Sequence, residues 1–287
     1  MKIILFTLLL IHVSSTLAVK RFDFIVLGDT AYTDSSFVEY ERLIDSINAA
    51  KPDFAIHVGD TMGYQSCENE TYDRIDGFFN RFKMPLIYTP GDNEWTDCEI
   101  HGSDAREQGD WEAVAAYKLN RLAELRSRYF FTDQSLGQHK FKLKRQSEVG
   151  MKEHKTFVEN AYWIHGEVLF ATVHIVGSSD SFHPYITGQT LESIDRRNAN
   201  YAWIMRIAEI AKEQEVKAIV LAGHGDMFMR REKSPNGSSF SGTMIRGAAM
   251  DPMSATYTPW LCWQRSSRSP YCSHMEIPIA SSSTDRC

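Results

Sequence analysis

The chain reads as an α/β protein on three observations. Apolar runs at residues 22–27, 54–58 and 85–90 each end in Gly-Asp, at Gly28-Asp29, Gly59-Asp60 and Gly91-Asp92. The aspartates lie 31 and then 32 residues apart, with a stretch of helical spacing inside each interval. Strand, sharp turn, helix and strand again is the order of a βαβ unit, which makes its strands parallel neighbours. Parallel strands bring their C-terminal ends to one edge of the sheet, where α/β proteins build their sites. Three carboxylates at that edge repel one another, so the cluster implies bound cations. A single Gly-Asp at a strand end can simply cap a helix; three in series call for more than capping.

The elements follow in order. Ser36 and Glu39 have the spacing of a capping box, and Phe37, Tyr40, Ile44 and Ile47 continue on one helical face until Pro52. Ile75, Phe78, Phe79 and Phe82 mark a second helix leading into the third strand. Residues 100–109 are polar and loop-like. A helix is expected between Trp111 and Phe131, with Val114, Tyr117, Leu122 and Leu125 inward, and the Lys-rich residues 134–157 read as a solvated loop. Strands are expected at 161–165 and 168–176, then a helix over 189–214 with Trp203, Ile207 and Ile210 inward. A strand over 216–222 ends at Gly223-His224-Gly225-Asp226. Beyond Arg231 the chain turns Ser-rich without a sustained period, so an irregular tail is expected over 232–287, leaving one domain over 19–231.

A chain of 287 residues that is 43% hydrophobic can bury the core of such a domain. Residues 1–18 stand apart from it. Met1-Lys2 gives a positive start, residues 3–13 are apolar, and Thr16-Leu17-Ala18 supplies small residues for cleavage, the pattern of a secretory signal peptide. The apolar run is shorter than the roughly 20 residues of a membrane span. The expectation is therefore a secreted, secretory-pathway or periplasmic protein with no membrane attachment once the signal is removed. A net charge of −6 gives no reason to expect a nucleic-acid partner.

Export permits disulfides. Cys67 and Cys98 follow Asp60 and Asp92 in loops that share one sheet edge, so these two are expected to pair. Cys262 and Cys272 form a second candidate pair, leaving Cys287 odd. Asn69-Glu70-Thr71 and Asn236-Gly237-Ser238 fit the glycosylation sequon.

Oxygen and imidazole ligands around paired metals suit the hydrolysis of phosphate esters, with the metals about 4 Å apart. Such a pair needs a bridging carboxylate and flanking Asp, Asn and His ligands. Asp60, ending the middle motif, is the candidate for the bridge. The ordered set Gly28-Asp29, Gly59-Asp60, Gly91-Asp92-Asn93-Glu94 and Gly223-His224 resembles the calcineurin-like metallophosphoesterases, the superfamily that includes purple acid phosphatases. The run Tyr88-Thr89-Pro90-Gly91-Asp92-Asn93-Glu94-Trp95-Thr96-Asp97-Cys98 is similar to a secreted subgroup. So are Arg121-Leu122-Ala123-Glu124-Leu125-Arg126, Glu159-Asn160-Ala161-Tyr162-Trp163 and Val173-His174-Ile175-Val176-Gly177-Ser178.

The resemblance implies a β-sandwich of mixed sheets flanked by helices, with an atypical C-terminal part. It implies two divalent or trivalent metal ions (Fe, Zn or Mn) acting on a phosphorylated small molecule or other phosphoester. Asp29 would bind the first metal and Asp60 bridge. Asp92 takes the place of the family's ligand asparagine, and His224 that of a histidine on the second metal. Asn93 takes the place of the histidine that assists the leaving group; an amide is no general acid, so Asn93 would act by hydrogen-bonding substrate.

Two departures follow. The family's first motif is Asp-x-His, whereas Asp29-Thr30-Ala31 has no imidazole; Tyr32 is the nearest substitute, as a phenolate ligand or as a packing or substrate contact. No Gly-His-x-His follows His224, and His274 stands alone in the tail. A non-catalytic secreted binding protein on the same scaffold is the alternative. A serine hydrolase is disfavoured, because Gly237-Ser238-Ser239-Phe240-Ser241-Gly242 misses the nucleophile-turn spacing. His57 and His174, inside strands, read as core histidines, His101 and His183 as loop residues, and Glu94 and Trp95 as braces of their turn.

Overall fold

The computed structural model describes residues 21–63, 67–98, 105, 107–181 and 186–225, and the backbone of 246–250, 257–263 and 271–274. Its first sheet is parallel, in the order β1 (Phe24–Leu27), β2 (Phe54–His57), β3 (Leu86–Tyr88), with Ile25 opposite Ala55 and Ile56 opposite Ile87. The connecting helices are α1 (Asp34–Ala50) and α2 (Asn69–Phe79). After α3 (Trp111–Tyr129) the chain builds a second, mixed sheet from β4 (Lys144–Arg145), β5 (Ala161–His165), β6 (Val168–Thr172) and β7 (Ala218–Ala222). The short helix α4 (Gln146–Val149) and the long α5 (Thr187–Glu213) lie between these strands in sequence. β8 (Arg246–Met250), β9 (Tyr257–Trp263) and β10 (Tyr271–His274) complete it, in the order β10-β9-β8-β7-β6-β5-β4. Only β6 and β7 are parallel there.

Alternation along each strand assigns the layers. Phe54, Ile56 and Ile87 point between the sheets and meet Trp163, Phe170 and Ala222 of the second. Phe54 has no exposed surface and lies against the rings of Phe24, Trp163 and Phe170. On the outer face of the first sheet, Leu27, Ala55 and Tyr88 pack on Ile44, Phe78 and Leu125 of the helices. On the outer face of the second, Leu169 and Ile219 pack on Trp203 and Ile207 of α5. Two sheets face to face with helices outside each is the expected mixed sandwich.

Several local expectations shift. α1 begins at Asp34, with Thr33 as its N-cap, and the Ser36 hydroxyl accepts the Thr33 N–H at 2.9 Å. The reciprocal cap is thus built on Thr33 and Ser36, one turn earlier than Ser36 and Glu39. β6 ends at Thr172 because side chains take over the backbone of His174: its N–H donates to Asn160 and its carbonyl accepts from Asn200, both at 2.7 Å. The Lys-rich stretch is not wholly solvated. Arg145 is buried and donates to the carbonyls of Thr132 and Val158, while the buried Gln146 side chain donates to the carbonyl of Ala199.

The largest correction concerns the tail. Residues 232–287, expected to be irregular, contribute β8, β9 and β10, and β8 pairs antiparallel with β7 through Val220 and Ala249. Cross-strand backbone bonds define these strands, and they need no side-chain period to form. Cys262 and Cys272 are register partners across β9 and β10. Cys67 and Cys98 are joined, with Cα atoms 5.7 Å apart, as expected. Residues 1–18, His101, His183, Asp226, the Asn236 sequon and Cys287 lie outside the described residues. Among the described residues no helix is long and apolar enough to cross a membrane.

Candidate metal centre

The turns after β1, β2 and β3 interlock. The Asp29 N–H donates to the Gly59 carbonyl at 3.1 Å and the Thr30 N–H to the Asp60 carbonyl at 3.0 Å. Asp29 and Asp60 both hold φ near +55°, a left-handed conformation that short polar side chains tolerate better than most. Gly59, at φ +98°, sits where an added Cβ would lie 2.0 Å from the Gly91 nitrogen. The strain is concentrated where three strand ends must converge.

Asp60 is the hub. Its Oδ1 accepts the backbone N–H groups of Asp92 and Asn93, each at 3.1 Å, tying the second turn to the third. Its Oδ2 lies 3.0 Å from the Tyr32 hydroxyl, which is also 2.9 Å from Asp29 Oδ1. One phenolic proton serves two carboxylates, so Asp29 and Asp60 stand a single hydroxyl apart. His224, just past β7 in the opposite sheet, uses Nδ1–H to donate to the Val58 carbonyl at 3.0 Å. That bond fixes the ring and aims Nε2 at Asp92 Oδ1, 3.2 Å away, and Asp60 Oδ1, 3.5 Å away.

One ligand atom from each of Asp60, Asp92 and His224 lies within 4.8 Å of the others. Ligand bonds of about 2.0–2.2 Å reach all three after small inward shifts, and carboxylate with imidazole suits Fe, Zn or Mn. The donor set therefore fits a cation. Burial pushes the Asp60 carboxyl up to about 8, with the charges of Glu94 and Asp92 adding to the rise and His224 opposing it. Burial alone would lower His224, but the hydrogen bond to Asp92 and the carboxylate charges outweigh it and carry the ring up to about 9. Tyr32 is driven well above the ordinary phenol range, first by burial and then by the two carboxylates, so it carries its proton here.

A cation must displace the protons held by Asp60 and His224. Uptake of Mn²⁺ at pH 7 should accordingly release protons, read as a calorimetric enthalpy that changes with the ionisation heat of the buffer. Affinity should climb between pH 6 and pH 8, by about tenfold per unit for each proton displaced. An affinity flat over that interval would contradict the protonated cluster.

Around the centre the remaining sequence candidates separate. Glu94 is fully buried and braces the turn. Its Oε1 accepts the N–H and hydroxyl of Thr61, and Oε2 accepts the Gly91 N–H at 3.0 Å. His57 accepts the Gly59 N–H on Nδ1 and lies 3.3 Å from the Thr30 hydroxyl on Nε2; burial lowers it to about 3, a neutral core histidine. His174 is likewise buried. Asn93 is buried beside Asp60, which takes its backbone N–H. Asp29 and Tyr32 are brought to the rim of the cluster rather than into its tightest triad.

Gly177 also lies against the cluster. An added Cβ on Gly177 would lie 2.4 Å from Asp92 Oδ2, so the glycine makes room for a carboxylate of the cluster. Its place in the run from Val173 to Ser178 was a signal, but only folding brings it against Asp92. The φ of Gly177 lies outside the left-handed region, so alanine is sterically foreign there only because of Asp92. Gly177→Ala should weaken Mn²⁺ binding by about tenfold or more, with an overpacking cost of about 1–3 kcal/mol in a denaturant titration. Unchanged affinity would show that Asp92 does not need that position.

The family model for calcineurin-like phosphoesterases matches residues 22–251. No curated protein and no solved structure matches the chain. The match runs from just before β1 through β8 and takes in all three Gly-Asp turns and His224. With that coverage, and with Asp60, Asp92 and His224 gathered where two sheets meet, the chain belongs to the calcineurin-like phosphoesterase family.

Proposed function

We propose that the chain is a metal-dependent hydrolase of phosphate esters. The observation that carries this is the convergence of ligand atoms from three separate segments within 4.8 Å at the C-terminal ends of the strands. Metal ions bound there would supply Lewis acidity toward the phosphoryl group and a more acidic water.

The chain's own residues have distinct tasks. Asp60 is positioned to bridge, because one oxygen faces Asp92 and His224 while the other faces Tyr32 and Asp29. Asp92 and His224 would hold one side of the centre, with the Val58 carbonyl keeping the imidazole in register. Asp29 and Tyr32 hold the other, where Tyr32 is a candidate ligand. Asn93, adjacent to Asp92, is assigned to hydrogen-bond a phosphoryl oxygen. An amide donates a hydrogen bond but is no general acid, so Asn93 does not protonate the leaving group. The substrate class is a phosphorylated small molecule or other phosphoester.

The run from Tyr88 to Cys98 supports placement in the secreted subgroup. A leader over residues 1–18, removed on export, is part of the same reading, and the Cys67–Cys98 bond fits an oxidising compartment. The test is hydrolysis of p-nitrophenyl phosphate by the purified chain loaded with Mn²⁺, Zn²⁺ or Fe. The expected result is turnover that a chelator abolishes and added metal restores. Tight cation binding with no turnover under any of these metals would instead mark a binding protein on the same scaffold.

A further inference from the structure

Three of the stretches that resemble the family supply no ligand to the cluster, yet they meet one another. Arg126, from α3, forks onto Glu159, with Nε 3.1 Å from Oε2 and Nη2 2.7 Å from Oε1. Glu159 Oε1 lies 2.8 Å from His174 Nδ1. Asn160 accepts the His174 N–H and also donates to the side chains of Gln146 and Asn200. Glu159, Asn160 and His174 have no exposed surface. So much buried polar contact between an outer helix, a loop and the end of β6 needs a purpose beyond packing, which apolar residues would serve as well.

The unfinished end of the network shows the purpose. Glu159 is held ionised by Arg126, so His174 donates from Nδ1–H and keeps the lone pair of Nε2. Burial keeps the ring neutral, against the pull of Glu159. Among the described residues Nε2 has no hydrogen-bond partner, and neither does the indole N–H of Trp95. The two rings are neighbours, with centroids 5.7 Å apart. An open acceptor and an open donor on neighbouring buried rings, each costing about 1–3 kcal/mol if left unpaired, would be satisfied together by a small rotation or one bridging water.

Trp95 in turn is tied to a ligand. Its backbone N–H donates to the Asp92 carbonyl at 3.2 Å, and the backbone N–H of Asp97 donates to the same carbonyl at 3.0 Å. The indole is fully buried, and the buried Arg196 guanidinium lies 5.5 Å from the ring centroid. The turn that carries Asp92 therefore also carries this buried ring.

We propose that Arg126, Glu159 and His174 form a buried positioning chain, ending in a hydrogen bond between His174 Nε2 and the Trp95 indole N–H, that sets the turn carrying Asp92. The proposal rests on reading Asp92 as a cation ligand. His174 and Trp95 are positioning residues; neither touches the cation.

Two substitutions at one position separate this chain from mere packing. His174→Asn keeps a donor near Nδ1 for Glu159 and removes the acceptor at Nε2. His174→Gln carries its amide out to the Nε2 position and gives up the bond to Glu159. Calorimetry of the full chain with Mn²⁺ should show affinity about tenfold weaker in His174→Asn and about threefold weaker in His174→Gln, which keeps an acceptor at the Nε2 position but loses the hold of Glu159. The Trp95 indole ¹H–¹⁵N resonance should shift in the former only. Trp95→Phe, which keeps the ring and loses the N–H, should reproduce the affinity loss, and the double variant with His174→Asn should be no worse than either single one. This second route covers a His174 variant that fails to fold. Wild-type affinity in both His174→Asn and Trp95→Phe overturns the proposal alone. A wild-type chain that takes up no Mn²⁺ overturns the reading of Asp92, and the proposal with it.

Discussion

Asp60→Asn should abolish cation binding and any cation-dependent activity, while the cation-free fold survives. The substitution keeps the shape of the side chain and an oxygen that can still accept the N–H groups of Asp92 and Asn93. It removes a charge that faces Tyr32 on one side and Asp92 and His224 on the other. Without cation, the ionised carboxylate is unfavourable, since burial and then the neighbouring Glu94 raise it to about 8. A raised carboxyl pKa means that stability is lost as pH rises from the unfolded value, near 3.9, toward the folded one. A neutral amide at 60 escapes that loss, so the cation-free variant should melt at or above the wild-type temperature at pH 7. Wild type, in contrast, should gain about 2.7 kcal/mol at a cation concentration of 100 Kd, and the variant none. Hydrolysis of an aryl phosphate should fall to background. Equal thermal gains on adding Mn²⁺ would remove Asp60 from the centre.

Gly59→Ala should cost the fold heavily. Gly59 adopts φ +98°, which L side chains rarely enter, at a cost of about 1–3 kcal/mol. The added methyl also meets backbone: Gly91 N at 2.0 Å, with Gly91 Cα and the Pro90 carbonyl carbon at 2.6 Å. Backbone cannot rotate aside as a side chain can, so the turns after β2 and β3 must separate. Separation breaks the bond from Asp29 to the Gly59 carbonyl and pulls the Asp60 carboxylate from the N–H groups of Asp92 and Asn93. The combined loss should exceed about 4 kcal/mol in a denaturant titration, the range reserved for a strained and overpacked buried site. Gly77→Ala is the matched control. Gly77 lies inside α2, with nothing within 4 Å of an added Cβ, so alanine there should stabilise by about 0.5–1 kcal/mol.

The two glycines illustrate what a sequence discloses. Gly59 was legible because it recurs before an aspartate in a repeated strand-turn-helix rhythm, and the same rhythm placed β1, β2, β3 and the helices between them. Asp60, Asp92 and His224 were legible for the same reason: each ends an apolar run. Gly177 was not, because its constraint comes from a carboxylate 85 positions earlier in the chain and leaves no local pattern. The orientation of His224 was hidden as well, since its partner is the Val58 carbonyl and every residue has one. β8, β9 and β10 were missed because their Ser-rich neighbourhood lacks the alternation that betrays a half-buried strand. Glu159 and His174 were visible as family-like stretches, but their pairing with each other and with Arg126 appears only once the second sheet closes on α3.

The metal content of the purified, desalted full chain, measured by elemental analysis beside that of Asp60→Asn, tests the central claim most directly. The expected result is between about one and two tightly held Fe, Zn or Mn ions per chain in the wild type and none in the variant. A wild-type chain that emerges free of metal, and takes up none of the three on dialysis, would show that Asp60, Asp92 and His224 meet for some reason other than holding a cation.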